Sequence, residues 1–458
     1  MSLVTIRVDD RELEASDGAL LIEVLLQNDI EIPHFCYHEA LGADGNCRMC
    51  MVGIEGQKRP QIACDTFVKE GMQVSTKSPT IRAVQQEILE LELINHPIDC
   101  PTCDQAGECK LQDYYMEYGL YDSHINPADK VKHHKHIDLG SSVMLDQERC
   151  VLCARCTRFT TDITKTHELG IIGRGDEARV STMPNKKLDN PYAMNVVDLC
   201  PVGALTSKDF RFKQRSWFLS TSSSICHGCA TGCNIYIDHN CEKYKDATIY
   251  RFRPRINNEV NGHFICDTGR LSYKNLQTNR QREILSEGKV IAEEKAIKQY
   301  KKMIEEHSNI CILVDANCYN EELEAIVQYA QTIDATLLSP LACYEDETFA
   351  DEWLRSSQRV ANAKGVENLG IKTDIPDGYT TDLLINFNHP KPELIASKKK
   401  IEFQSHKERE AYLVFPLAVF SESSGTVTNR DNLVQFCEKA ICSNEPVPTV
   451  LEWIKKLG

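Results

Sequence analysis

The sequence predicts an α+β multidomain protein in which short strands and helices are separated by cysteine-rich loops. Three observations support this class. The chain has 458 residues, enough for two to four domains with hydrophobic cores. Period-two patterns typical of strands and amphipathic patterns typical of helices both occur. Most of the 21 cysteines are gathered in four groups within the first three-fifths of the chain.

Composition and charge narrow the function classes. The formal charge of −15 argues against a polyanionic partner, so nucleic acid binding is not expected. No apolar run reaches the roughly 18 residues of a transmembrane helix, and the N-terminus MSLVTIRVDD has neither a basic leader nor an apolar signal core. A cytosolic location is therefore expected. Because disulfides are rare there, the cysteines are interpreted first as metal ligands.

The N-terminal segment predicts two strands and a helix before the first cysteine group. Leu3–Val8 alternates with a period of two, and Asp10 and Arg11 turn the chain into a second strand. Ala19–Asn28 has the pattern of a compact amphipathic helix. The first group then follows with the spacing C-x10-C-x2-C-x13-C, and its members are Cys36, Cys47, Cys50 and Cys64.

Four thiolates on a loop and one later strand residue suit a [2Fe–2S] cluster. Gly42 and Gly45 let backbone N–H groups approach the sulfurs. The first gap is longer than the four residues of the plant-type pattern, so this loop is a variant of it. A structural zinc site is the alternative, which is disfavoured because zinc sites usually pair two C-x2-C units.

The second group lies in the stretch HPIDCPTCDQAGEC, after a helix predicted over Pro79–Ile94. The apolar residues expected to form one face of that helix are Ile81, Val84, Ile88 and Leu91. Three thiolates leave one iron of a [4Fe–4S] cube without a protein ligand, so the histidine ahead of them is predicted to complete the set. The proposed ligands are His96, Cys100, Cys103 and Cys109.

The third group is a C-x2-C-x2-C triplet closed by a distant Cys-Pro pair. The triplet is typical of [4Fe–4S] sites, and proline after the last ligand belongs to the same pattern. Because the chain has one triplet and one Cys-Pro, one cluster is predicted here. Its proposed ligands are Cys150, Cys153, Cys156 and Cys200.

The fourth group, in CHGCATGC, supplies Cys226, Cys229 and Cys233 and needs one more ligand to hold a [4Fe–4S] cluster. Cys241 and Cys266 are the two candidates. Cys241 follows too soon for an intervening strand to return, whereas Cys266 precedes a turn that can present a thiolate. Cys266 is therefore favoured.

The cysteines outside the four groups are predicted to be ordinary buried thiols. They are Cys241, Cys311, Cys318, Cys343, Cys437 and Cys442. The short basic run KVKHHKH (130–136) is interpreted as a solvated loop or docking patch rather than a metal site, because no acidic or cysteine partner accompanies it in the sequence.

The chain beyond about residue 280 predicts a βαβ unit. Its parts are Ile310–Val314, Glu321–Asp334 and Ala335–Leu338, with further strands at Leu383–Phe387 and Leu413–Val419. No G-x-G-x-x-G follows a strand and no G-x-x-x-x-G-K-[ST] occurs. A dinucleotide or nucleotide phosphate site is therefore not expected in this half.

The first three groups, in this order and spacing, resemble the large iron–sulfur subunit of NADH–quinone oxidoreductase (respiratory complex I). LGIIGRGDEARV and DLCPVGALT are similar to segments of that family as well. CHGCATGC with HFICDTGR, and later FSESSGTVTNRDNLVQ, resemble motifs of the molybdopterin-oxidoreductase-like region that follows in the family. The resemblance is specific over residues 1 to about 276.

The resemblance implies a domain order along the chain. It comprises a β-grasp [2Fe–2S] ferredoxin-type domain (1–78), a His/Cys3-ligated [4Fe–4S] domain (79–119), a [4Fe–4S] domain (120–218), a [4Fe–4S] domain of the Mo/W bis-MGD type (219–276) and a reduced α/β, molybdopterin-oxidoreductase-like domain (277–458). The last region is shorter than a full molybdopterin-type domain, so molybdopterin is not expected. The fourth cluster occurs in only some members, where it is thought to lie off the main electron path.

The function implied by the resemblance is an electron relay with one [2Fe–2S] and three [4Fe–4S] clusters and no substrate chemistry of its own. Electrons would pass from an FMN-containing, NADH-oxidising subunit towards quinone, coupled by the whole complex to proton translocation. Expected partners are that subunit, a small [2Fe–2S] subunit and quinone-side Fe–S subunits, in a complex on the cytoplasmic side of the membrane, without direct membrane insertion. The alternatives are a relay subunit of a NAD-linked hydrogenase or formate dehydrogenase complex, and a zinc-stapled scaffold.

Overall fold

The protein forms two compact units, Met1–Phe218 and Leu219–Gly458. The computed structural model describes residues 2–122, 125–240, 248–442 and 445–458. The first three cysteine groups lie in the first unit and the fourth lies in the second. Within the described ranges, no helix is long and apolar enough to cross a membrane.

The first unit begins with a five-stranded mixed sheet and a short helix. The elements are β1 (Leu3–Val8), β2 (Arg11–Ser16), α1 (Leu21–Gln27), β3 (Met51–Ile54), β4 (Gln61–Ile62) and β5 (Gln73–Ser75). The strand order is β2-β1-β5-β3-β4, with β1 and β5 parallel and the other neighbours antiparallel. Alternate residues of β1 are buried, as its period-two pattern predicts, and α1 packs in the same hydrophobic core.

Helix α2 (Pro79–Leu93) follows the sheet and leads to the second cysteine group. Its start is as predicted, because Ser78 Oγ accepts a hydrogen bond from the Ile81 N–H at 3.4 Å. The predicted apolar face is wrong in part: Gln85 and Leu89 are buried with Ile81, whereas Leu91 is 65% exposed. Gln85 can be buried because its side-chain amide donates to the Met51 carbonyl at 3.1 Å.

The remainder of the first unit is built from short elements around the third cysteine group. They are α3 (Lys110–Tyr118), β6 (Ile137–Asp138), β7 (Val143–Leu145), α4 (Arg155–Arg158), β8 (Leu169–Ile172), β9 (Arg179–Thr182), α5 (Asn195–Leu199) and β10 (Leu205–Ser207). A three-stranded sheet has the order β10-β7-β6, and β8 pairs with β9. Cys156 lies in α4, and Cys200 caps the C-terminus of α5.

The second unit contains a three-stranded antiparallel sheet, a seven-stranded sheet and a separate strand pair. The first elements are β11 (Ser220–Ile225), β12 (Asn234–Asn240), β13 (Thr248–Pro254), α6 (Asp267–Leu271) and α7 (Tyr273–Leu276). Strand β12 lies between β11 and β13. The first three cysteines of the fourth group therefore lie in the connection from β11 to β12, and Cys266 lies directly before α6.

The seven-stranded sheet confirms the predicted α/β character of this half. Its order is β15-β14-β20-β19-β18-β16-β17, and the strands from β20 to β17 are parallel to their neighbours. Strand β20 is shorter than the predicted Leu413–Val419. The remaining elements are β14 (Leu285–Ser286), β15 (Lys289–Val290), α8 (Glu293–Glu306), β16 (Ile310–Val314), α9 (Asn320–Thr332), β17 (Thr336–Leu338), α10 (Ala363–Asn368), β18 (Thr380–Phe387), β19 (Ala396–Gln404), β20 (Leu413–Pro416), β21 (Gly425–Thr428), β22 (Val434–Cys437) and α11 (Val450–Leu457).

Candidate metal centres

The first cysteine group is gathered beside strands β3 and β4. Cys50 directly precedes β3. The prediction that Cys64 lies on a strand is wrong, because this residue lies in a single 3-10 turn that follows β4. The backbone N–H groups of Phe35 and Cys36 point at Cys47 Sγ, at 3.4 and 3.5 Å. The loop thus supplies the N–H donors that a [2Fe–2S] site needs around its sulfurs.

The four thiols of this group form one connected and buried set. Hydrogen bonds from Cys47 and Cys64 lower the pKa of Cys36 well below its usual range. A hydrogen bond from Cys64 lowers the pKa of Cys50. None of the four residues is more than 7% exposed. A set of this kind can bind metal as thiolates once its protons are released.

The second group lies on the loop between α2 and α3. Burial lowers the pKa of His96 to about 4, so its ring is neutral at pH 7 and keeps one nitrogen free to bind a metal. Burial is also the largest cause that raises the pKa of Cys103, and it raises the pKa of Cys109 to about 11. The cysteine charges add to this effect, because Cys100 raises the pKa of Cys103 and Cys103 raises that of Cys109. The three thiols therefore lie close enough to act on one another.

The C-terminal segment of the first unit covers this loop. Arg215 Nη1 donates to the Cys103 carbonyl at 2.6 Å, and its other terminal nitrogen donates to the Pro101 carbonyl. Gly107 has a φ of +86°, and a Cβ there would lie 2.9 Å from the Trp217 ring. The loop therefore needs glycine at this position both for its backbone conformation and for the close approach of the indole.

The third group lines one enclosed cavity, whose cysteines are Cys150, Cys153, Cys156 and Cys200. The other lining residues are Leu145, Val151, Ala154, Val180, Val202, Ala204 and Leu205, all of them aliphatic. The Leu152 N–H donates to Cys150 Sγ at 3.4 Å. Burial in this apolar setting raises the pKa of all four thiols. Four sulfurs around one dry space fit the ligand set of a [4Fe–4S] cube.

The fourth group also lines one cavity, which is formed by Cys226, Cys229, Cys233 and Cys266 with two glycines in its wall. The Gly228 N–H donates to Cys226 Sγ at 3.4 Å, and the Gly269 N–H donates to Cys266 Sγ at 3.3 Å. A Cβ on Gly269 would lie only 2.8 Å from Cys226 Sγ. Cys241, the competing ligand, lies outside the described residues.

The ligand sets are wider than a single-ion site. In the described part of the chain, no group of three or more His, Cys, Asp or Glu side chains is arranged to hold one metal ion. A zinc site needs four ligands within bonding distance of one point, whereas an iron–sulfur cluster distributes its ligands over several irons. The arrangement of the cysteines favours clusters over zinc.

The loops of the second and third groups are in direct contact. A Cβ on Gly203 would overlap Cys103 Sγ, because the chain after Cys200 runs against the second group. The Lys110 N–H, directly after Cys109, donates to the Pro201 carbonyl at 2.9 Å. The two candidate centres are therefore neighbours.

The loops of the first and third groups are also in contact. Asn46 donates from its side chain to the Leu152 carbonyl at 3.1 Å. Arg158, in α4, donates to the carbonyls of Leu41 and Gly42 at 2.9 and 3.1 Å. The third group thus lies between the other two along a line of loop contacts, an arrangement that sequence spacing does not show.

The basic run 130–136 docks on the first unit. Lys130 Nζ donates to the His96 carbonyl at 2.5 Å. Lys135 Nζ pairs with Glu148 at 2.9 Å and Asp146 at 3.2 Å. Acidic partners were not evident in the sequence because they come from distant segments. The run braces the loop of the second group.

The cysteines outside the four groups differ in exposure. Cys311, Cys318 and Cys437 are buried, as predicted. The prediction is wrong for Cys442, which is exposed, and for Cys343, which is partly exposed and lies 3.4 Å from a nitrogen of a buried histidine, His389. Neither belongs to a strand, so no sheet covers it.

The second unit holds a cavity of about 450 Å³ that sequence reasoning missed. Asp315, Asn388 and Ser405 line it, and each directly follows a parallel strand. His227 and Gly228 of the fourth cysteine loop form part of its wall. The carboxyl edge of a parallel sheet is where α/β folds usually bind ligands. Polar residues directly after buried strands are the signal that could have located it.

Family models match the chain in four consecutive segments. They are described as a 2Fe-2S iron-sulfur cluster binding domain (2–79), an NADH-ubiquinone oxidoreductase-G iron-sulfur binding region (85–124), an NADH-quinone oxidoreductase subunit 3 ferredoxin-like domain (140–206) and a molybdopterin oxidoreductase Fe4S4 domain (219–278). Each segment contains one of the four cysteine groups.

Curated relatives resemble the chain over its larger part. The NADH-ubiquinone oxidoreductase 75 kDa subunit of Reclinomonas americana is 37% identical over 336 residues, which are 72% of this chain and 48% of that protein. The corresponding large subunits of NADH-quinone oxidoreductase from Rickettsia felis and Streptomyces coelicolor are 38% and 39% identical over 61% and 60% of this chain, and 40% and 32% of their own lengths. The chain thus spans half or less of the length of these relatives.

A structural comparison finds a chain of the NAD+-reducing [NiFe]-hydrogenase in the H2-reduced state. It is 30% identical and covers 46% of this chain and 90% of its own, with a TM-score of 0.42. A likeness at that TM-score carries no argument for the hydrogenase alternative.

The fold and the cysteine sets define a multidomain iron–sulfur protein with a ferredoxin-type N-terminal domain. Within that class, the chain belongs to the family of the large iron–sulfur subunit of NADH-quinone oxidoreductase, whose members include the 75 kDa subunit named above.

We predict that Gly203→Ala removes the second cluster. The new Cβ would overlap Cys103 Sγ and displace that ligand. Iron content should fall by about four per chain and the corresponding EPR signal should disappear. Gly53→Ala is the control, because a Cβ there meets only ordinary contacts of 3.6 Å or more. An unchanged second signal in Gly203→Ala would contradict the prediction.

We also predict that Cys266→Ser removes the EPR signal of the fourth cluster, because Cys266 completes its cavity. Cys437→Ser serves as the control, since Cys437 is equally buried in the same unit but does not line that cavity. If Cys241→Ser removed the signal and Cys266→Ser did not, the ligand assignment would be reversed.

Proposed function

We propose that the chain is an iron–sulfur electron-relay subunit of NADH-quinone oxidoreductase. The observation that carries this proposal is the contact between three ligand sets in the first unit, which places three electron carriers in one line. An iron–sulfur cluster, when bound, supplies one-electron transfer. The chain's own task is to hold, desolvate and align the ligands, and no residue is assigned to acid–base or nucleophilic chemistry.

The proposed assignment is one [2Fe–2S] cluster at the first group and [4Fe–4S] clusters at the other three. Connected thiols and N–H donors to sulfur support the first assignment. The shared cavities support the third and fourth. Molybdopterin is not part of the proposal. The domain boundaries proposed are 1–78, 79–119, 120–218, 219–276 and 277–458.

The order of the relay follows from the loop contacts. The third group touches the first group through Asn46 and Arg158, and it touches the second group through Gly203. We therefore place the Cys150 set between the Cys36 set and the His96 set. Electron transfer falls off with distance, so contact between cluster loops favours this sequence over direct passage from the first group to the second.

His96 distinguishes the second site from the others. A neutral imidazole in place of a thiolate removes one negative charge from the ligand shell, which favours the reduced cluster and raises its potential. The low pKa of His96 keeps the imidazole neutral above about pH 5. The site is thus suited to accept electrons from its thiolate-ligated neighbour.

The proposed partners are the other complex I subunits, namely the FMN-containing NADH-oxidising subunit, the small [2Fe–2S] subunit and the quinone-side Fe–S subunits. Relatives named as subunits of this complex support their presence. We propose a peripheral position on the cytoplasmic side of the membrane, with proton translocation and quinone reduction performed by the whole complex.

Metal and sulfide analysis tests the proposal. Anaerobically purified protein should contain about fourteen irons per chain, with matching acid-labile sulfide, from one two-iron and three four-iron clusters. Low-temperature EPR should resolve signals of both cluster types after reduction with dithionite. A colourless protein holding stoichiometric zinc and no sulfide would refute the relay.

His96→Cys should keep the second cluster and lower its midpoint potential, because a thiolate restores one negative charge to the ligand shell. The measurement is an EPR-monitored redox titration. His134→Cys is the matched control, since it places the same substitution in the basic run outside any ligand set. A potential that does not change in His96→Cys would exclude His96 as a ligand.

A further inference from the structure

Arg155 is a buried cation without a carboxylate partner. The residue is 8% exposed, and no Asp or Glu of the described ranges lies within ion-pairing distance of it. One terminal nitrogen donates to the Tyr37 carbonyl and the other donates to the Leu199 carbonyl at 3.2 Å. Its Nε has no hydrogen-bond partner. An isolated buried charge is costly, so an anion must compensate it.

The two carbonyls identify that anion. Tyr37 directly follows Cys36 of the first group, and Leu199 directly precedes Cys200 of the third group. Arg155 itself directly precedes Cys156. Burial lowers the pKa of the guanidinium, and the negative charges of Cys153, Cys200 and Cys36 act against that effect. The counter-charge of Arg155 therefore lies on thiolates of both groups.

We propose that Arg155 is a positioning residue shared by the first and third cluster sites, which joins the two cysteine loops and stabilises the reduced state of both clusters. This inference rests on the proposed function. A cluster held by four thiolates is anionic and gains one more negative charge on reduction. A cation held between two such sites favours reduction at each, so it raises both midpoint potentials.

Arg158, one turn further along, provides an internal comparison. Its guanidinium donates to the Cys36 carbonyl and to carbonyls of the same loop, but to none in the third group. It is also 3.9 Å from the Asp44 carboxylate, which offsets part of its charge. Arg158 therefore acts on the first site alone, and more weakly than Arg155.

The test uses the full chain with its clusters, purified anaerobically, and compares Arg155→Gln with Arg155→Lys. The readouts are iron and sulfide content and EPR-monitored redox titrations of both clusters. In Arg155→Gln we expect each reduction equilibrium constant to fall roughly tenfold, which is about 59 mV for one electron. Arg155→Lys keeps the charge but not the bidentate bridge. It should retain most of both potentials.

Two further variants make the result specific. Arg59→Gln removes the same charge from an exposed position of the first domain, where water screens it, and should leave both potentials unchanged. Arg158→Gln should lower only the potential of the first cluster, and the fall in its reduction equilibrium constant should be smaller than in Arg155→Gln.

The outcomes separate this inference from the proposed function. Protein without sulfide-bound iron would refute the relay itself. Clusters present at full occupancy, with both potentials unchanged in Arg155→Gln, would overturn the role of Arg155 and leave the relay intact. If Arg155→Gln does not assemble its clusters, Arg155→Lys decides: retained potentials support the shared cation, and a tenfold loss at both sites refutes it. Equal shifts of both clusters in Arg158→Gln would also refute it.

Discussion

Close packing between cysteine-bearing loops is the constraint on which the first unit depends. A ligand set works only when its sulfurs are kept dry and at fixed positions, and short loops cannot achieve this alone. Each loop is therefore braced by another: Gly203 leaves room for Cys103, and Arg215 holds the same loop from the other side. The small size of Gly203 is decisive because any side chain would occupy the position of the sulfur.

Charge is distributed in a way that suits anionic centres. The chain carries a net charge of −15, yet arginines are concentrated where the thiols are buried. Arg149 lies beside Cys103, and Arg155 lies between the first and third groups. Each offsets negative charge that burial would otherwise make costly. The same cations therefore serve both to stabilise the fold and to set the electron affinity of the sites.

The second unit is organised on different principles. Its core is a parallel sheet whose buried rings stack, with Phe403 at 4.5 Å from Phe387 and 4.7 Å from Phe415. The fourth cysteine group lies in this unit, in loops from a separate antiparallel sheet and before α6. The same loop reaches the cavity at the carboxyl edge of the parallel sheet through His227. One loop therefore contributes to both a cysteine set and a cavity within this unit.

The sequence by itself determined the four ligand groups as hypotheses, the first strand and the βαβ unit, because residue type, short spacing and local periodicity carry that information. Tertiary structure decided the buried face of α2, where Gln85 replaces a predicted apolar residue because Met51 supplies its hydrogen-bond partner. It also decided which groups are neighbours. Those contacts join Gly203 to Cys103 and Arg155 to Tyr37, residues far apart in sequence, and no local pattern encodes a contact between distant segments.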